Sequence, residues 1–206
     1  MLCTTTRFAR GTCIALSLGF APLYSATAAH SGAAKQAVSI EAGASKLKPG
    51  QFLWQPERAS SGPVEVVVSL SQQMAYVYRA GTLIGVSTVS SGKPGNDTPV
   101  GHFPILQKNK DHRSNKYNDA PMPYMQRLNW YGVALHGGAI PGYPASHGCV
   151  RLPMGFAAKL FGATKLGASV FIMDQAPSSP GAALGLAKAS IPVQMASNEA
   201  EAGGAQ

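Results

Sequence analysis

Three β-rich runs at hairpin spacing constrain the fold most. Val64-Glu65-Val66-Val67-Val68-Ser69-Leu70 is followed, after a polar turn, by Met74-Ala75-Tyr76-Val77-Tyr78. Ala80-Gly81 then turns the chain into Thr82 to Val89. β-branched and aromatic residues between short turn signals predict an antiparallel meander of three strands. Further strands are expected at His102–Leu106, Gly132–His136 and Ala168–Met173. One helix is expected just after Pro153, which suits a first helical position; Phe156, Leu160 and Phe161 recur at helical spacing. Gly162 and Gly167 punctuate its end. The fold class is mainly β: a sandwich or partly closed barrel with one or two helices.

The flanks have a different composition. Residues 1–29 carry Arg7 and Arg10, an uncharged apolar stretch and Ala26-Thr27-Ala28, the pattern of a cleaved export signal. An uncleaved anchor is the competing reading, but Ser17, Pro22 and Ser25 dilute the stretch below what a span needs. Residues 30–62 read as a linker with a local turn near 51–54. Residues 63–175 read as one globular domain, and 176–206 as a low-complexity, disordered tail. Residues 109–127 have few periodic apolar positions. They read as a long loop serving as a flap over a cleft.

Of three cysteines, Cys3 and Cys13 fall in the signal, leaving Cys149. No internal disulfide can then form, and a lone thiol in an oxidising compartment is a liability unless buried or used. The formal charge is +8. Without Arg7 and Arg10 it is about +6, scattered and without a Lys/Arg run, which argues against nucleic acid. The chain has no phosphate loop, no dinucleotide fingerprint and no plausible catalytic carboxylate pair. No cofactor is expected. Asn96-Asp97-Thr98 is a weak glycosylation match beside Pro99.

Cys149 lies in Ser146-His147-Gly148-Cys149-Val150-Arg151, downstream of Val133-Ala134-Leu135-His136-Gly137. A thiol becomes a strong nucleophile when an imidazole within reach takes its proton, the imidazole being oriented by a third group. His136 and His147 are both candidates for that base. His136 ends an apolar strand at glycines, and the Gly137 carbonyl is placed to accept from its Nδ1–H and fix the tautomer. Gly148 allows a tight turn in which backbone N–H groups converge on an oxyanion. A helix N-terminus near Pro153 would favour thiolate. Arg151 suits either a substrate carboxylate or loop carbonyls. A zinc site of His136, His147 and Cys149 matches no common spacing. His30, His102 and His112 read as solvated or structural.

Three stretches together resemble the L,D-transpeptidases of the YkuD type. They are His136-Gly137 with Ser146-His147-Gly148-Cys149-Val150-Arg151-Leu152; Ser91-Gly92 with Thr98-Pro99-Val100-Gly101-His102-Phe103; and Pro121-Met122-Pro123-Tyr124. The resemblance implies a β-rich sandwich with the cysteine under a flap. It implies Cys149 as nucleophile, His136 as base and the Gly137 carbonyl as third member. His147, Gly148 and Cys149 would form the oxyanion loop, with Ser146, Arg151 and Tyr124 around the substrate. Its implied partners are peptidoglycan tetrapeptide stems, whose terminal D-Ala is released, and an acceptor amine: a second stem, a D-amino acid or a lipoprotein lysine. Carbapenems would acylate the same cysteine. The implied location is the periplasm or cell wall, without stable membrane insertion once the signal is removed. A hydrolytic carboxypeptidase or amidase, or an idle wall-binding protein, are the rival readings. The short His136-to-Cys149 spacing suggests that loop 138–145 shapes the acceptor side differently.

Overall fold

The structure, a computed structural model, describes residues 40–190. The segment read as an export signal, with Cys3 and Cys13, lies outside them. Among the described residues, ten strands and three α-helices follow in order, with a short 3-10 turn at Pro56–Arg58: α1 (40–44), β1 (Phe52–Trp54), β2 (Val64–Ser69), β3 (Met74–Arg79), β4 (Thr82–Thr88), β5 (Gly101–Pro104), β6 (Gln107–Arg113), β7 (Pro121–Arg127), β8 (Ala134–Gly137), β9 (Val150–Leu152), α2 (Met154–Ala163), β10 (Ser169–Met173) and α3 (183–190). They form a six-stranded sheet, β1-β4-β3-β2-β10-β5, and a four-stranded sheet, β6-β7-β8-β9. The expected meander is β2-β3-β4, paired antiparallel. Only β2/β10 and β8/β9 are parallel.

The mainly β class of the sequence is the observed one. The large sheet is covered on both faces, which explains the continuous valine run of β2. Val66, Val68, Ala75, Val77, Ile84, Val170 and Ile172 face inward, onto Leu135, Val150 and Leu152 of the small sheet and Phe156 and Leu160 of α2. The alternate residues Val67, Tyr76, Tyr78, Val86 and Phe171 face outward and are covered by Ile40, Ala44, Ala183, Leu184 and Ala187. Phe156 sits where the inner layers meet, 5.5 Å from both Phe52 and Trp54. Cutting it to alanine would cost about 3–5 kcal/mol, the usual result for a buried aromatic.

Three expectations are corrected. Residues 40–62 are not merely a linker: β1 pairs with β4, and α1 covers the large sheet. Residues 176–190 are not a disordered tail, because α3 buries Ala183, Leu184 and Ala187 against that sheet. An Ala/Gly/Ser composition hides this role, since small residues let a helix lie close on a sheet of bulky Tyr and Phe. Residues 109–127 are not a long loop but a hairpin, β6 and β7 joined by 114–120. Its first strand is almost wholly polar and exposed, so no alternation marks it. Pro121 and Pro123 stand where, among the described residues, β7 pairs with β6 alone, the edge position in which a sheet tolerates proline.

Helix α2 starts one residue later than expected, with Pro153 as its cap. It runs through Gly162, and its end is held from the hairpin: Lys108 Nζ donates to the carbonyls of Phe161 and Thr164 at 2.6 and 2.7 Å. A cation on the last carbonyls of a helix satisfies orphan acceptors and its dipole together. Lys108 thus fastens the base of the hairpin to the layer beneath it.

Candidate active site

The site is built on the parallel pair β8 and β9. Leu135 pairs with Val150, His136 with Arg151, and Gly137 with Leu152. Side chains alternate across a strand. Leu135, Val150 and Leu152 therefore enter the core, while His136, Arg151 and Cys149, the residue preceding β9, share the opposite face. That face floors a cleft of about 810 Å³, roofed by the hairpin. His136, Gly137, Ser146, His147, Gly148, Cys149 and Arg151 all line it. Tyr124 does not. Its neighbours Pro123 and Met125 do; Tyr124, at φ +57° in a break of the β6–β7 ladder, sets its ring edge-on to Phe161 at 5.9 Å instead.

His136 is buried, and its Nδ1 lies 2.9 Å from the Gly137 carbonyl oxygen. A carbonyl only accepts, so Nδ1 carries the proton and Nε2 holds the free lone pair. Burial lowers the pKa of the ring below the ordinary 6.5; the Gly137 carbonyl opposes this, while the Arg151 and His112 charges add to it. His136 is thus neutral at pH 7, the state a base needs.

Cys149 is half-buried and free. Its Sγ–H donates to the Gly132 carbonyl at 3.2 Å. Burial raises its pKa, opposed by the Ala134 amide and by Arg151 and Arg127. The resting pair is therefore neutral thiol and neutral imidazole, with the sulfur parked on Gly132.

The loop carrying the cysteine is bonded at every turn. Gly148 has φ +110°, a conformation that favours glycine. Its N–H donates to Ser146 Oγ at 3.1 Å, and its carbonyl accepts from Thr98 Oγ1 at 2.9 Å. Ser146 Oγ in turn donates to the Cys149 carbonyl. The Gly148 amide is thus engaged by Ser146. Among the described residues, the His147 and Cys149 amides are the open ones on this loop. The exposed ring of His147 stacks on Tyr117 at the hairpin tip, centroids 4.5 Å apart. Thr98, the third residue of the glycosylation match, is buried, its hydroxyl spanning the Gly92 amide and the Gly148 carbonyl.

Sequence reasoning missed Arg127, His112, Tyr117, Trp130 and Tyr131, all of which line the cleft. They come from the hairpin and the β7–β8 turn, and no local pattern marks them. Arg151 has no hydrogen-bond or ion-pair partner for its guanidinium among the described residues, so of its two expected roles the loop-tying one is not realised. His102 stacks on Phe171 at 4.8 Å, a structural position. No three His, Cys, Asp or Glu side chains among the described residues converge to hold a metal ion. No described helix is long and apolar enough to cross a membrane.

The fold is shared with known proteins. The YkuD profile, the L,D-transpeptidase catalytic domain, matches residues 63–172. An L,D-transpeptidase from Stackebrandtia nassauensis is similar at 30% identity and TM-score 0.51, over 57% of this chain and 58% of that one. One from Mycobacterium tuberculosis H37Rv is similar at 25% and 0.51, over 53% and 57%. The L,D-transpeptidase LdtMt1, solved in complex with imipenem, is similar at 25% and 0.50, over 53% and 58%. The chain thus spans under two thirds of the length of these structures. No curated protein matches the sequence.

Proposed function

The chain belongs to the YkuD family of L,D-transpeptidase catalytic domains, and on that premise we propose that it is an exported peptidoglycan L,D-transpeptidase acting through a thioester on Cys149. The observation that carries this reading is the His136–Gly137 pair on the face that holds Cys149. A buried neutral imidazole, its tautomer fixed by a carbonyl, stands beside the only thiol among the described residues.

The thiol leaves Gly132 and gives its proton to His136 Nε2 as sulfur attacks the carbonyl of the stem's third residue. The S–C bond forms, and the negative charge on oxygen meets the open His147 and Cys149 amides. Collapse breaks the C–N bond, and His136 returns the proton to the departing D-Ala amine. An acceptor amine then attacks the thioester: the new C–N bond forms, the C–S bond breaks, and the amine's proton passes through His136 to the departing sulfur, restoring the thiol. Arg151, unpaired beside His136, suits the carboxylate of the departing D-Ala. The acceptor is a second stem, a D-amino acid or a lipoprotein lysine. Export to the periplasm or cell wall is supported by Arg7, Arg10 and the Ala26-Thr27-Ala28 segment.

The test is incubation with a disaccharide-tetrapeptide and with a carbapenem, weighing protein and products. Loss of D-Ala with a dimeric product and a drug adduct on Cys149 supports transpeptidation. Tripeptide alone, with or without added amine, supports the hydrolytic carboxypeptidase or amidase. Neither turnover nor adduct sinks the enzymatic reading in favour of an idle wall-binding protein.

A further inference from the structure

Arg127 ends β7 and pairs with Ala134, the residue on β8 that stands two before His136. The β8–β9 register continues that row to Cys149. Directly paired residues on adjacent strands point to the same face. Arg127, Ala134 and Cys149 therefore form one row on the cleft floor, and His136 with Arg151 forms the next. The thiol and the imidazole are thus flanked at opposite corners by guanidinium groups, Arg127 across from the sulfur and Arg151 across from the ring. Ala134 between Arg127 and Cys149 is too small to screen one from the other, and the Arg127 charge acts on the sulfur.

Arg127 is held in place. Its Nε donates to Gln107 Oε1 at 2.8 Å, and its guanidinium lies 5.3 Å from the Trp130 ring centroid. Its terminal nitrogens have no hydrogen-bond or ion-pair partner among the described residues. Among the described residues, Asp97 is the one carboxylate in the cleft lining, beside Arg127, Arg151, Lys116 and three histidines. A preorganised guanidinium fork facing an acid-poor cleft selects a carboxylate.

Which carboxylate follows from the chemistry, and this step rests on the transpeptidase reading. His136 must reach the leaving nitrogen, so the leaving residue lies on the His136–Arg151 side. The acyl residue then extends over Arg127. We propose that Arg127 is a specificity residue that binds a carboxylate at the side-chain end of the acyl-donor residue, selecting a diamino acid of the diaminopimelate kind over lysine. A lysine-type residue offers an ammonium there, which the guanidinium repels.

The experiment compares two tetrapeptide donors differing only at the third residue, meso-diaminopimelate or L-lysine, with the wild-type protein, Arg127→Gln and Arg127→Lys. Iodoacetamide alkylation of Cys149 is measured on all three. Wild type should prefer the diaminopimelate donor by about tenfold or more in kcat/KM, the scale of one charge-assisted hydrogen bond. Arg127→Gln should lose that preference, the diaminopimelate donor slowing while the lysine donor, freed of the repulsion, does not slow, and Arg127→Lys should keep part of it. Equal kcat/KM for both donors in wild type, or an undiminished preference in Arg127→Gln, overturns the inference. So does an equal fall for both donors together with slower alkylation, which would make Arg127 only an electrostatic support for the thiol. Wild-type protein that turns over neither donor fails at the functional reading itself, a separate result.

Discussion

Gln73 grips Ser91 with both ends of its amide: Nε2 donates to Ser91 Oγ at 2.7 Å, and Oε1 accepts the Ser91 N–H at 2.9 Å. The Ser91 carbonyl then accepts the amides of Ala145 and Ser146, at 3.0 and 2.9 Å. A residue in the turn after β2 is thereby joined to the loop that ends in Cys149. Gln73 holds φ +50°, a left-handed conformation unusual for a residue with a side chain.

Gln73→Ala should loosen that loop. Two hydrogen bonds to Ser91 and one to the Leu70 carbonyl are lost, costing about 1–3 kcal/mol of stability. The rate of thioester formation should fall with KM nearly unchanged, because no substrate contact is removed. Gln73→Gly relieves the backbone but also lacks the clamp, so it should be slow too. A fast Gln73→Gly would show that backbone conformation, not the amide, positions the loop.

Gly92→Ala should be among the most damaging single changes. A Cβ there would lie 2.0 Å from the Asn96 carbonyl oxygen and 2.8 Å from the Thr98 nitrogen, both backbone atoms with no easy escape. A destabilisation of about 3 kcal/mol or more is expected, the range of overpacking against rigid neighbours. Thermal melting checks it; a melting point within a degree of wild type would contradict the packing.

Removing Cys149 should separate folding from function. Cys149→Ala deletes one weak bond to Gly132, so stability should change by under about 1.5 kcal/mol. Turnover and carbapenem labelling should vanish. His136→Ala should keep the thiol but slow acylation by about 10²–10⁴-fold. Labelling in Cys149→Ala, seen by mass spectrometry, would place the nucleophile elsewhere.

The acylation rate should have a plateau with two limbs. His136 must be neutral, and its pKa lies below 6.5, so the acid limb falls below that pH. Cys149 ionises only above 9.0, so the alkaline limb lies above it. Stability follows the same signs. On acidification below 6.5 the unfolded imidazole takes a proton that the folded ring refuses, and stability drops. Above 9.0 the unfolded thiol releases a proton that the folded one keeps, and stability drops again. A rate that rises as pH falls from 7 to 5 would rule out His136 as base.

Ala187→Asp tests the C-terminal helix. Ala187 is buried against the outer face of the large sheet, and an unpaired carboxylate there should cost about 3 kcal/mol or more. A disordered tail would tolerate the change, so an unaltered urea midpoint would restore the compositional reading.

The sequence by itself determined the elements whose own side chains signal them. β2, β3 and β4 declare themselves by β-branched and aromatic runs, α2 by Phe156 and Leu160 at helical spacing, and the nucleophile, base and glycine turn by chemistry crowded into two short segments. Only the tertiary structure decided the rest, because the rest depends on partners distant in sequence. β6 is polar on both faces and is a strand only because β7 lies beside it. α3 is Ala-rich and is ordered only because Tyr78 and Phe171 present a face to cover. Tyr124, expected at the substrate, turns instead to Phe161, and the His147 ring, still on the cleft lining, is drawn onto Tyr117 of the hairpin tip. Arg127, 22 residues before Cys149 in the chain, faces it because strand register sets three side chains in one row.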